Sequence, residues 1–259
     1  MIDAHCHLEQ KEYDQDLDKV IKKCKDFGIK AIISNCAHPK DFEKAKKISQ
    51  DYKDFVFLVG GVHPAEVENL TDGKIEKAFN WLRENKDVLY GIGEQGLDYF
   101  WIKDQKLREK QKELFVKSIK LAKDLDKVLV VHTRDAHEEV IRILEENGAK
   151  KVQLHMWGDN KFVKEIIDNN WYVSVGPVIA HSKKHKKVVR DMPIERLMLE
   201  TDSPWFGGND SEGKVLRGDP TNILIPAEEI AKIKKVSLKE VFEICGKNAV
   251  NLFSLPIRV

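Results

Sequence analysis

The chain has 259 residues, of which 42% are hydrophobic and 34% charged. That length suits one (β/α)8 barrel and is short for two sizeable α/β domains. The composition excludes a disordered chain, and no apolar run reaches the roughly 18 residues of a membrane helix.

Lys and Arg number 44 against 43 Asp and Glu, so whole-chain charge does not announce a nucleic-acid binder, although a local basic face is compatible with it. Cys6, Cys24, Cys36 and Cys245 show no CxxC spacing, which leads us to expect reduced thiols in a cytoplasmic setting. The opening Met-Ile-Asp-Ala-His carries neither the basic segment nor the apolar stretch of a secretory signal.

In chain order, short apolar runs alternate with helix-period stretches. Strands are predicted at Met1–His5, Lys30–Asn35, Phe55–Gly61 and Val88–Gly93, then at Val128–His132, Lys151–His155, Trp171–Val175 and Arg196–Glu200. Between them, helices are predicted at Asp16–Phe27, Phe42–Tyr52, Ile75–Glu84, Lys106–Leu125, Glu138–Asn147, Phe162–Asn169 and the mostly basic Lys183–Asp191. A Gly- and Asp-rich loop, Gly207–Pro220, leads to a final amphipathic region, Ala227–Phe253. Such β-then-α units imply parallel strands with crossover helices. The runs Val128–Val131 and Ala31–Ile33 are continuously apolar, as in strands covered on both faces. No linker or repeat divides the chain, so a single (β/α)8 TIM barrel over residues 1–259 is expected. A doubly wound open sheet would carry a glycine-rich turn after its first strand. Here that strand ends in His5-Cys6-His7.

Polar residues able to bind metal recur at the strand ends. His5 and His7 are two apart on an extended segment, so their imidazoles share a face. Glu94 follows Tyr90-Gly91-Ile92-Gly93; His132 ends one apolar strand and His155 another; Asp202 follows the eighth strand in Glu-Thr-Asp-Ser-Pro. Singly, each has an ordinary explanation: a surface histidine, a solvated carboxylate, a turn aspartate. Jointly they occupy the C-terminal strand ends, where barrel active sites are built. Such a set suits one or two divalent ions, zinc, manganese or magnesium. Glu94, central in the order, is the candidate to bridge two of them, leaving Asp202 to orient a metal-activated water and take its proton.

The stretches Asp3–Leu8, Gly61–Pro64, Gly91–Asp98, Val131–Ala136, Leu154-His155, Glu200–Pro204 and Asn248-Ala249 together resemble the TatD family of metal-dependent deoxyribonucleases, within the amidohydrolase superfamily. The resemblance runs from residue 2 to about residue 253. It implies that His5, His7, Glu94 and Asp202 hold one ion and Glu94, His132 and His155 a second. It places His63 beside the site, either facing substrate and orienting water or serving as a turn histidine fixed by Pro64. Arg134 would meet a substrate phosphate, or pair with Asp135 or another carboxylate. Trp157 and Trp205 would stack on a base or wall the pocket. Two segments depart from the family pattern, Thr221–Pro226 in place of Asn-Glu-Pro and Met156-Trp157-Gly158 after the sixth strand. Both bear on substrate identity more than on metal binding.

The sequence therefore predicts a metal-dependent hydrolase cleaving phosphodiester bonds, with DNA or another phosphodiester as partner and no membrane. One alternative is amidohydrolase chemistry on a small ester, amide, lactone or phosphoester. Many such barrels bridge their metals with a modified lysine at the fourth strand, and none occurs between Val88 and Phe100. The other alternative is a non-catalytic metal-binding protein.

Overall fold

A computed structural model of the chain describes residues 1–208, 213 and 215–258. Eight strands form one parallel sheet in sequence order: β1 (Ile2–Cys6), β2 (Ala31–Cys36), β3 (Val56–Gly60), β4 (Leu89–Asp98), β5 (Val128–Arg134), β6 (Val152–Leu154), β7 (Tyr172–Val175) and β8 (Leu197–Leu199). The seam between β8 and β1 is joined just past their ends, where Asp202 N donates to His5 O at 2.9 Å and His7 N to Ser203 O at 2.8 Å. The result is a (β/α)8 barrel. Among the described residues its helices are α1 (Leu17–Phe27), α2 (Phe42–Asp51), α3 (Asp72–Glu84), α4 (Gln105–Asp124), α5 (His137–Glu146), α6 (Val163–Asp168), α7 (Lys183–Asp191), α8 (Leu224–Lys234) and α9 (Leu238–Phe253).

The apolar strands divide their side chains between two cores. Ile2, Ala4, Ala31, Ile33, Phe57, Val59, Val128, Val130 and Met198 fill the barrel, closed below by Ala249, Leu252 and Phe253 of α9 and by Leu255. The alternate residues, such as Ile32, Leu58, Leu129 and Val131, pack outward against the helices. The bottom of the barrel is thus a sealed core and its C-terminal mouth is free to carry chemistry.

The strands match the expected ones with shifts at their ends, and the largest shift matters. Whereas the fourth strand was expected to stop at Gly93, β4 runs on to Asp98, so Glu94 lies within it. Between Ile92 and Gln95, β4 carries one more residue than β5 does between Leu129 and Val131. A second extra residue lies in β1, between Asp3 and Cys6. A bulge of this kind re-aims the side chains beyond it. Ile2 and Ala4 point into the barrel, so strict alternation would turn His5 outward; the bulge returns it to the interior.

The final amphipathic region, expected as Ala227–Phe253, is two helices. Lys235 takes a left-handed conformation at φ 57°. Ser237 then starts α9 with a reciprocal capping box to Glu240. Of the expected loop Gly207–Pro220, residues 209–212 and 214 lie outside the described residues.

Candidate metal centre

β1, β4, β5, β6 and β8 bring His5, His7, Glu94, His132, His155 and Asp202 together at the C-terminal mouth. Glu94 stands at the middle with its oxygens divided. Oε2 is 3.4 Å from His5 Nε2 and 3.7 Å from His7 Nε2. Oε1 is 2.8 Å from His132 Nδ1, and 3.8 Å from both His63 Nε2 and His155 Nε2. Asp202 Oδ1 lies 3.1 Å from His7 Nε2, and its Oδ2 is 4.0 Å from His155 Nε2. Asp202 reaches inward from a left-handed backbone at φ 51°, pinned by its bond to His5 O. Gly93 makes room for Glu94: with φ at 147°, a Cβ there would meet Val130 O at 2.4 Å.

Three further groups, not picked out in the sequence, orient these side chains. His7 Nδ1 donates to Asn35 O at 2.6 Å, and His155 Nδ1 faces Glu200 Oε2 at 2.8 Å. Each ring thereby turns its Nε2 into the site, the usual arrangement of a metal-ligating histidine. His132 Nε2 is 3.0 Å from Asp98 Oδ2. Asp98 and Glu200 sit inside stretches already notable in the sequence. Their roles were hidden because each partner lies far along the chain.

These residues fit cations. His5 Nε2 and His7 Nε2 are only 3.2 Å apart, and the His5 and His155 rings stack at 3.7 Å. His5 Nδ1 is buried and has no partner. Among the described residues, every basic group within reach of Glu94 or Asp202 is a histidine, not a lysine or arginine. Burial alone would raise both carboxyls, but the surrounding histidines, His155 foremost, hold them below the usual carboxylate range. Burial would lower His155, yet Glu200, Glu94 and Asp202 push it up to about 10. His7 and His132 rise by the same competition, through Asp202 and Glu9 and through Asp98 and Glu94. Burial and the charge of His155 lower His5. Buried carboxylates facing a cluster of histidines, with no lysine or arginine among them, make a donor set that divalent ions would suit.

A cavity of about 290 Å³ opens onto this cluster, lined in part by His38, His63, Glu66 and Trp205. His63 Nδ1 accepts from Ala65 N at 3.1 Å. Burial, then the charge of His132, lowers its pKa to about 4. The neutral ring therefore carries its proton on Nε2, facing Glu94. Trp205 is 47% exposed and borders the cavity. Arg134 ends β5 with its guanidinium over the Phe100 ring, in contact with neither Asp135 nor another carboxylate among the described residues. The stacking role expected of Trp157 is corrected: the residue is only 2% exposed, its Nε1 donates to Asp159 O, and its ring packs against His137 and Phe162. A ring so enclosed has no face for a base.

Residues 2–254 match the family described as TatD related DNase. Human "Deoxyribonuclease TATDN3" is 35% identical over 262 aligned positions, covering 98% of this chain and 94% of that one. A Bacillus subtilis protein described as "Uncharacterized metal-dependent hydrolase YabD" is 33% identical, covering 98% of this chain and 99% of its own. Among solved structures, the Escherichia coli TatD homologue YJJV superposes with a TM-score of 0.88 at 22% identity, covering 99% of this chain and 98% of that one. That last likeness is one of fold.

Proposed function

The chain belongs to the TatD-related DNase family, and from that premise we propose that it is a single metal-dependent hydrolase barrel over residues 1–259 that cleaves phosphodiester bonds in DNA. The observation that carries the proposal is the divided carboxylate of Glu94, with His5 and His7 at one oxygen and His132, His155 and His63 at the other. In this reading His5, His7, Glu94 and Asp202 hold one divalent ion, and Glu94, His132 and His155 hold a second. Zinc, manganese and magnesium all suit the donor set. Bound there, the ions would polarise a phosphoryl oxygen and lower the pKa of a water beside it.

The chain's own groups do the rest. Glu94 and Asp202 are kept ionised by the histidines around them, so both remain acceptors at neutral pH. Asp202 Oδ2, the oxygen turned from His7, takes the proton of the attacking water. His63 donates from Nε2 to a phosphate oxygen; Trp205 walls the pocket and offers a face to a base, and Arg134 meets phosphate from the rim. Asp98, Glu200 and the carbonyl of Asn35 keep His132, His155 and His7 in place while charge moves.

No helix among the described residues is long and apolar enough to cross a membrane. The buried, unbridged Cys6, Cys24, Cys36 and Cys245 suit a reducing compartment, which supports a cytoplasmic setting. End-labelled single- and double-stranded DNA incubated with chelator-stripped protein, then with each divalent ion in turn, tests the activity. Cleavage restored by metal is expected. Hydrolysis of p-nitrophenyl acetate without cleavage of DNA or bis(p-nitrophenyl) phosphate would overturn it in favour of carboxylic-ester chemistry.

A further inference from the structure

Beyond β4 the chain turns through Tyr99, Phe100 and Trp101 before α4 begins. Phe100 is 40% exposed and Trp101 64%. Their rings meet edge to face, with centroids 5.0 Å apart. Arg134 lays its guanidinium 3.6 Å from the Phe100 ring centre and 5.6 Å from that of Trp101. Lys103 Nζ stands 5.4 Å from the same Phe100 ring. Aromatic surface left open to water beside cations is the composition of a nucleic-acid platform rather than of an ordinary apolar patch.

The platform is fastened to the metal centre. Asp98 Oδ1 accepts from Phe100 N at 3.0 Å and from Trp101 N at 2.8 Å. Its other oxygen, Oδ2, holds His132 Nε2 at 3.0 Å. One buried carboxylate thus sets both the turn that presents the rings and a histidine of the site. Tyr99 N donates to Arg134 O at 2.9 Å, tying the turn to β5 as well. The guanidinium carbon lies 3.6 Å from the Phe100 ring centre, and among the described residues no carboxylate takes its N–H groups, which leaves them to a phosphate.

We propose that Phe100, Trp101 and Arg134 form a nucleobase subsite that takes an unpaired base of the DNA strand. The proposal rests on the reading of the chain as a DNase. The base stacks on the Trp101 indole, and the phosphate of the same nucleotide meets the Arg134 edge. A base within a duplex has both faces covered by its neighbours and cannot stack on a side chain without leaving them. The subsite therefore selects single-stranded segments or frayed ends. It tolerates any sequence, because every base offers a face.

Fluorescence anisotropy with a labelled, nuclease-resistant phosphorothioate oligothymidylate tests this directly, alongside a blunt duplex of equal length. Trp101→Ala is expected to weaken single-strand binding on the order of tenfold, the scale of one lost stack, and Trp101→Phe to restore most of it. The duplex should lose much less. Because Trp101 lies on the surface, an unchanged circular dichroism spectrum and Tm should accompany the loss. Equal binding by the parent protein and Trp101→Ala would overturn the subsite, as would an equal loss on the duplex or no single-strand binding at all. If the binding pattern holds while no divalent ion supports DNA cleavage, the DNase reading falls and the subsite stands. If DNA is cleaved but Trp101→Ala binds as tightly as the parent, the subsite falls alone.

Discussion

A histidine serves a cation well when its second nitrogen is already engaged, and His155 shows the arrangement in full. Glu200 fixes its Nδ1, and its Nε2 is left facing Glu94 and Asp202. Glu200→Gln keeps the shape but removes the charge that orients and strengthens the ring. Metal affinity should fall about 10- to 100-fold, read by competition with a chromogenic chelator. Unchanged affinity would make Glu200 a packing residue only. Asp202→Asn addresses the chemistry instead. It retains size and a coordinating oxygen but cannot take a proton, so kcat on DNA should drop about 100- to 10,000-fold while KM and Tm stay close to the parent values. Near-normal turnover with full metal content would remove Asp202 from the mechanism. Most of these residues were legible in the sequence because they sit at the ends of apolar runs. The burial of Trp157 is not legible because nothing in Met156-Trp157-Gly158 tells which way the indole turns; it is decided by Phe162 and His137.

Among the elements, the bulges at Ala4-His5 and Gly93-Glu94 did most to build the site and left the least trace in the sequence. An extra residue in β1 or β4 is a mismatch with the neighbouring strand, so neither strand's own pattern records it. That is why Glu94 was expected after its strand and is found within it. Gly93→Ala tests the β4 bulge. A methyl there would collide with Val130 O, so Glu94 should shift, and metal affinity should fall along with Tm. Unaltered affinity would show that the close approach of β4 and β5 does not set the carboxylate.

The turn before α8 gives a prediction in pH. Asp219 caps it by accepting from Thr221 N at 2.9 Å, and it pairs with Lys23 Nζ at 2.6 Å. Burial would raise its pKa, but Lys23 and Thr221 hold it below the usual carboxylate range. A folded-state pKa below the unfolded value of about 3.9 means the contribution is complete above that pH and is lost as pH falls through the lower, folded value. Asp219→Asn keeps the cap's shape but removes the charge facing Lys23, so it should cost about 0.5 kcal/mol at neutral pH, and the gap to the parent should close below about pH 4 in urea titrations. A gap that stays constant with pH would assign the effect to the cap's shape alone.

At the scale of the whole molecule, the barrel separates stability from chemistry. The bottom is closed by α9, whose Phe253 is 3% exposed and packs into the inner core. Phe253→Ala should cost about 3–5 kcal/mol in urea unfolding and leave metal stoichiometry intact in the protein that stays folded. The mouth shows the reverse balance, with His5, His7, Glu94, His155 and Asp202 buried together. The order of the strands could be read from the sequence because each is a separate apolar run between helical stretches. The break at Lys235 between α8 and α9 could not, because the apolar pattern continues across it. The central claim is that Glu94 serves two ions at that mouth, and metal content per chain tests it most directly. Elemental analysis of the folded protein after saturation and desalting should find two divalent ions, with His7→Ala retaining one and Glu94→Gln losing both or nearly both. A single ion in the parent protein, or two ions retained by Glu94→Gln, would contradict the account.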